Sequence, residues 1–285
     1  MKQLFACTVL ALSLGVAAVP ARAQSRPLVT EDPETVPAGH ILFEAGLDFM
    51  HNAIYPVSGL TGNLWRIGTL GFSFGVSPIA EIQLDGGLRN RLIITERDPT
   101  APLAGMLDLL GGDTTSDFED LTIGAKVRFV TETATRPAMA IRFSTRLPNA
   151  SNESGLGLDT TDFHFGLLVA KTVQSVRVAG NFGIGILPDP IRGDRQNDVL
   201  NYGLSVARAV ANGVEVVGEL NGRLNTREGV APVGTESRSM LRVGGRFTRG
   251  PVRVDGALLI GVTDQDPTWG FSTGLTWVFR AFNVQ

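Results

Sequence analysis

Charged residues recur at every second position through much of this 285-residue sequence. The rows are Glu44 and Asp48; Glu81, Asp85, Arg89 and Arg91; Lys126 and Arg128; Arg142 and Arg146; Arg177; Glu215, Glu219 and Arg223; Arg238, Arg242 and Arg246; Arg253 and Asp255. A period of two places side chains on one face of a strand. Adjacent rows of opposite sign can pair into ladders that fill an interior. Rows of one sign have another use: Lys126, Arg128, Arg142 and Arg146 would form a basic wall that attracts anions such as carboxylates. Both readings stand at the level of sequence, with ladders the larger part.

Other residue types offer less. The histidines are His40, His51 and His164. Asp162 lies two residues before His164, and Ser144 falls on the same face of a neighbouring segment, so a hydrolase set like that of outer-membrane lipases can be drawn. Any histidine in such a row would find similar neighbours, and no catalytic residue is assigned. The stretch 95–120 carries Asp98, Asp108, Asp113, Asp117, Glu119 and Asp120, oxygen ligands that could hold calcium or bridge lipopolysaccharide cations. Their spacing matches no calcium loop, so a solvated acidic loop is expected, with no metal site and no cofactor. Within it, 102–110 is expected to form a helical turn dipping into the lumen.

The elements that hold these rows read as strands. Opposite each charged row runs an apolar one: Ile41, Phe43, Leu47 and Phe49; Leu70, Phe72, Phe74 and Val76; Ile82, Leu84, Leu88, Leu92 and Ile94; and so on to Trp269, Phe271, Leu275, Trp277 and Phe279. Twelve such segments are present. Trp65 and Ile67 fall out of phase with their row, which predicts a bulge near Gly68. The connections alternate long (51–63, 95–120, 148–162, 188–199, 225–237) with short (77–79, 131–137, 174–175, 211–213, 249–251). That rhythm belongs to a barrel with one rim outside and the other periplasmic. A soluble sandwich explains the strands but not the strict loop asymmetry.

Residues 1–23 read as a removable secretory signal: Lys2, an apolar run, then Ala21-Arg22-Ala23. The only cysteine, Cys7, lies within it, so the mature chain makes no disulfide and no thiolate site. Removing Lys2 and Arg22 from 25 basic residues leaves 23 against 28 acidic, a formal charge of -5, and nothing calls for nucleic acid. Beyond the signal no apolar run reaches the roughly 18 residues of a membrane helix. A closed barrel crosses without one. Residues 24–39, with Pro27, Pro33 and Pro37 beside Glu31, Asp32 and Glu34, form a periplasmic leader, either flexible or folded into the barrel mouth.

Residues 26–40, R-P-L-V-T-E-D-P-E-T-V-P-A-G-H, followed by F-E-A-G-L at 43–47, resemble the start of outer-membrane transporters grouped with phenol-degradation meta-pathway proteins. The resemblance implies an outer-membrane barrel that passes small organic, often aromatic, compounds; it carries over no site residue.

The expectation is therefore all-β: a transmembrane antiparallel β-barrel of about 12 strands with both termini periplasmic, comprising signal 1–23, leader 24–39 and barrel 40–285. It would sit in the bacterial outer membrane against lipid and lipopolysaccharide and act as a passive channel for small organic or anionic solutes. Its oligomeric state is open. An outer-membrane hydrolase and a plugged structural barrel are the alternatives.

Overall fold

The computed structural model describes residues 26–109 and 112–284. The expected signal, 1–23, lies outside them. Thirteen strands follow in order: β1 (His40–Tyr55), β2 (Leu60–Gly75), β3 (Ala80–Arg97), β4 (Thr114–Asp117), β5 (Thr122–Val130), β6 (Ala138–Arg146), β7 (Asp162–Val173), β8 (Val176–Pro188), β9 (Gln196–Ala211), β10 (Val214–Asn225), β11 (Arg238–Arg249), β12 (Val252–Gly261) and β13 (Trp269–Arg280). Each pairs antiparallel with its wall neighbours, and β1 closes on β13 from His40↔Arg280 to His51↔Trp269.

The wall has twelve strands, because β4 and β5 are two halves of one. β5 pairs with β3 at 80–85 and β4 pairs with it at 90–93. Residues 118–121 interrupt this strand opposite Gly86 and Gly87. Among the described residues no helix is long and apolar enough to cross a membrane. Closure satisfies the backbone without one.

The apolar rows face out. Ile123, Phe143, Phe165, Phe182, Leu204, Val216, Val243, Leu258 and Trp277 are all exposed large side chains on successive strands. Trp65, Trp269 and Phe271 cluster around Phe49 on β1, β2 and β13, with ring centroids 4.8, 5.5 and 5.6 Å from it. Exposure of this kind suits a hydrocarbon solvent and not water.

Two features differ from expectation or extend it. The first connection is short: β1 runs on to Tyr55 and β2 starts at Leu60, leaving only 56–59 as turn. The extra length is strand because its inner face is buried: Ala53, Leu60 and Leu64 pack with Leu92 and Ile94 under the loops. The bulge at Gly68 is present. The β1–β2 register shifts between Gly46 and Leu47, and Gly68 takes φ +67°. Its effect reaches β3. Pairing passes from Thr69↔Gly87 to Ile67↔Arg89, so Leu88 faces the bulge and alternation changes phase there. The expected single row on β3 is thus split: Leu88 is 57% exposed but Leu92 is 0% exposed.

Candidate functional site

The lumen is built from the inward rows, and the leader 26–39 is folded into it. Arg26 begins at mid-barrel. Its guanidinium donates to Thr69 Oγ1 (3.3 Å), Ser272 Oγ (3.2 Å) and the Thr273 carbonyl (2.9 Å), and lies 3.6 Å from Asp255. It rests on Gly46 and Gly274, where an added Cβ would come within 2.4 Å of it. Next, Glu219 on β10 accepts from the Val29 N–H (2.8 Å) and the Thr30 N–H (2.7 Å), and also pairs with Arg242 (2.7 Å). Leu28 packs on Ala207 and Val217.

The three leader acids then meet the basic rows. Glu31 pairs with Arg142 (2.7 Å) and Lys126 (3.4 Å) and accepts from Gln83 (3.0 Å). Asp32 accepts from Arg177 Nη2 (2.6 Å), and its carbonyl accepts from Lys126 Nζ (3.0 Å). Glu34 pairs with Arg128. Glu81, paired with Lys126 at 3.0 Å, accepts from the Val36 N–H (2.6 Å). The segment has no secondary structure of its own, so barrel side chains supply several of its backbone partners. Outside the wall, Glu132 in the turn 131–137 braces Arg177 (2.9 Å) and accepts from the Thr172 N–H (2.7 Å). Burial alone would raise its pKa, but that N–H and the guanidinium outweigh it and hold the carboxyl below its ordinary value.

Above the leader lies a cavity of about 540 Å³, lined by Arg26, Glu44, Asp48, Arg66, His164 and Asn201 among others. A second, of about 490 Å³, continues toward the long loops past Met50, Tyr55, Leu64, Leu156, Arg223 and Arg238. His164, Asn221 and Arg242 line both, so the two form one stacked space that ends on the leader. Loops narrow the top. Ser58 Oγ donates to the Gly155 carbonyl (2.7 Å), and the Leu103 N–H donates to the Val57 carbonyl (2.9 Å). The helical turn expected within 102–110 is a short 3₁₀ segment at Ala104–Met106. Leu107, just beyond it, packs on the Leu60–Leu92 cluster; Leu110 lies outside the described residues.

The remaining charged rows fall as follows. Glu44 accepts from Thr276 (3.2 Å) and Asp48 from Ser272 (2.7 Å), with Arg66 at 2.9 Å. Asp85 lies 3.7 Å from Arg142. Arg146 pairs with Asp120 (2.9 Å) and Asp162 (2.5 Å). Glu215 pairs with Arg246 (2.7 Å) and Arg253 (3.6 Å). Arg89 and Arg91 stand on the exposed face of β3, past the phase change, where Arg89 donates to Ser116 (3.2 Å). Arg223 donates to the Glu236 and Gly234 carbonyls, and Arg238 to that of Ile54. The basic wall of β5 and β6 is therefore paired, largely to the leader.

Arg26, Arg66 and the pairing of leader acids with basic strands lie outside the rows that alternation picks out. The signal available was charge complementarity between Glu31, Asp32 and Glu34 and the purely basic rows.

The hydrolase set is not assembled. Ser144 is directly opposite His164, but Ser144 Oγ accepts from Arg142 (2.9 Å), His164 Nδ1 accepts from Asn201 (3.1 Å), and Asp162 binds Arg146. Among the described residues no hydrogen bond joins Ser144, His164 and Asp162. The acidic loop holds the backbone of the next long loop: Asp120 accepts from the Asn149 and Ala150 N–H groups (both 2.9 Å), and Asp117 from that of Ser151 (2.8 Å). Hydrogen bonds from the Thr100 hydroxyl and N–H hold Asp98 below the usual carboxylate range. Among the described residues no cluster of three potential metal ligands occurs.

Comparison with known proteins agrees with this architecture. The family described as "Putative MetA-pathway of phenol degradation" matches residues 24–279. An outer membrane channel from Pseudomonas putida F1 superimposes with TM-score 0.63 at 13% identity, covering 87% of this chain and 98% of its own. The toluene transporter TodX from Pseudomonas putida gives TM-score 0.43 at 11% identity, covering 86% and 90%. The translocator domain of autotransporter NalP from Neisseria meningitidis gives 0.49 at 10% identity, covering 84% and 88%. No curated protein matches the chain.

Proposed function

Because the chain belongs to the family of the MetA pathway of phenol degradation, we propose that it is an outer-membrane channel for small organic solutes, phenol-sized aromatics among them, with its leader as the plug. The carrying observation is the stacked cavity that runs from the long loops down to residues 26–31. The chambers match the few-hundred-Å³ scale of small-molecule sites and mix apolar walls with a few aimed polar groups. At the short-turn rim β1 starts opposite the end of β13; in this reading that rim is periplasmic. Solute entering from outside would reach the leader and pass when it shifts. No chemistry is assigned, since the one candidate set is spent on structural bonds.

The plugged structural barrel is the second reading, favoured by how completely the leader is bonded. Planar-bilayer recordings on the purified protein separate the two. The channel reading expects small, discrete conductance steps; a folded, inserted protein with none would leave the structural barrel.

A further inference from the structure

Nine arginines near the lumen have a carboxylate partner: Arg26, Arg66, Arg128, Arg142, Arg146, Arg177, Arg242, Arg246 and Arg253. Two that line the outer cavity do not. Arg223 on β10 is directly opposite Arg238 on β11. Like charges in that relation repel. Among the described residues no carboxylate lies within 4 Å of either guanidinium, and the undescribed residues contain no Asp or Glu.

Their hydrogen bonds go to neutral carbonyls. Arg223 Nε donates to the Glu236 carbonyl (2.9 Å) and Nη2 to that of Gly234 (2.8 Å); Arg238 Nη2 donates to that of Ile54 (3.2 Å). These bonds fix both side chains without neutralising them. Nη1 of each makes no hydrogen bond among the described residues, and Arg238 Nε is buried without a partner. Glu236, the nearby acid on the chain, turns Oε1 to the Gly234 N–H (2.8 Å).

We propose that the outer cavity binds a monocarboxylate with an apolar body, its carboxylate held between Arg223 and Arg238. The inference rests on the channel reading and names the solute class its mouth selects. Planar guanidiniums match a carboxylate in two parallel hydrogen bonds. The same chamber offers Met50, Tyr55, Leu64, Leu156 and Met240 as walls for the body. Its volume of about 490 Å³ takes a benzoate-sized molecule. Around it Arg146 is paired to Asp162 and Arg242 to Glu219, while Asp266 and Glu236, like the two arginines, hydrogen-bond only neutral groups: Asp266 takes the Ser239 N–H (2.9 Å) and Thr263 hydroxyl (2.6 Å), and Glu236 leaves Oε2 buried without a partner. Among the described guanidiniums lining the chamber, Arg223 and Arg238 are the two with no carboxylate within 4 Å, and one anionic head bridging them relieves their opposition.

The test is calorimetric titration of the full protein in detergent micelles with benzoate and with neutral benzamide. Wild type is expected to bind benzoate at least about tenfold tighter, the scale of one charge-assisted hydrogen bond. Arg223→Gln with Arg238→Gln should bring that ratio to about one with benzamide affinity unchanged, which also shows that the chamber is still folded. Arg89→Gln, on the outer face, should leave the ratio alone. Equal binding of the two probes by wild type, no binding of either, or an undiminished ratio in the double variant overturns the proposal. Inorganic phosphate competing as well as benzoate would overturn the monocarboxylate assignment. Bilayer recordings on the same preparation keep the two readings apart. Conductance without benzoate preference sinks only this site; benzoate preference without conductance sinks only the channel.

Discussion

Gly46 lies directly opposite Gly274 across the seam where β1 meets β13, and together they form the floor on which Arg26 rests. A methyl group at either position would come within 2.4 Å of the guanidinium. The alternative to a clash is a displaced Arg26. Gly46→Ala and Gly274→Ala should each loosen the start of the leader while leaving the wall closed. The amide hydrogens of Leu28, Val29 and Thr30 should then exchange faster in the folded variants than in wild type. Equal protection of variant and wild type would contradict this role for the glycine pair.

Glu219 serves two partners at once, the leader backbone and Arg242. Removing one member of a buried pair strands the other and costs about 3–5 kcal/mol. Glu219→Ala should lower the temperature at which the barrel unfolds on a heated gel, and also free the leader. Glu215→Ala, whose carboxylate is more exposed and touches no leader residue, should lower that temperature less. The reverse order would show that the leader contact contributes little.

The leader's clasp is acidic, so it should open in acid. Glu132 has its pKa held below the ordinary carboxylate value. A depressed folded-state pKa contributes stability above the unfolded value, and that contribution is lost as pH falls through the folded one. The brace on Arg177 should therefore persist at neutral pH and fail only below about pH 4, the usual glutamate range. Open probability in bilayers should be flat from neutral to mildly acidic pH and rise below that point. Glu132→Gln, which removes the titrating carboxylate, should raise the open probability at neutral pH and flatten the rise in acid. A response centred near neutrality would point to a histidine instead.

Phe182 stands outward on β8, and its neighbour Asn181 faces the lumen. Arginine on the lipid face near midplane costs about 2–4 kcal/mol, and near the rim about 0–1 kcal/mol. Phe182→Arg should cut the yield of folded barrel in bilayers, while Val173→Arg, exposed at the turn end of β7, should not. Equal tolerance would mean that these apolar rows do not face lipid.

Most of the wall was legible in the sequence because strand alternation is local. The two faces of Leu204 and Ser205, or of Val243 and Arg242, follow from a period of two, and the loop rhythm orders the strands. Where the period broke, legibility broke with it. The bulge at Gly68 was visible, but its transmission to β3 was not. It depends on the Ile67↔Arg89 register, which turns Arg89 and Arg91 to the outer face although local alternation alone places them inside. The first hairpin was longer than its composition suggested, because loops packed over Ala53 and Leu60 keep it a strand. The leader was the least legible part. It has no period, and its partners lie as far off as Ser272, 246 residues away from Arg26. Arg223 and Arg238 looked like any other luminal charges until the pairing of all their neighbours was known.

In the proposed channel, residues 26–37 close a route the barrel otherwise provides. Single-channel recording of the mature protein beside a variant lacking those residues tests it most directly, with heat-modifiable gel migration showing that both are folded. The prediction is small, infrequent steps for the mature protein and large, steady ones for the shortened chain. Identical conductance in the two, or none in either, would contradict it.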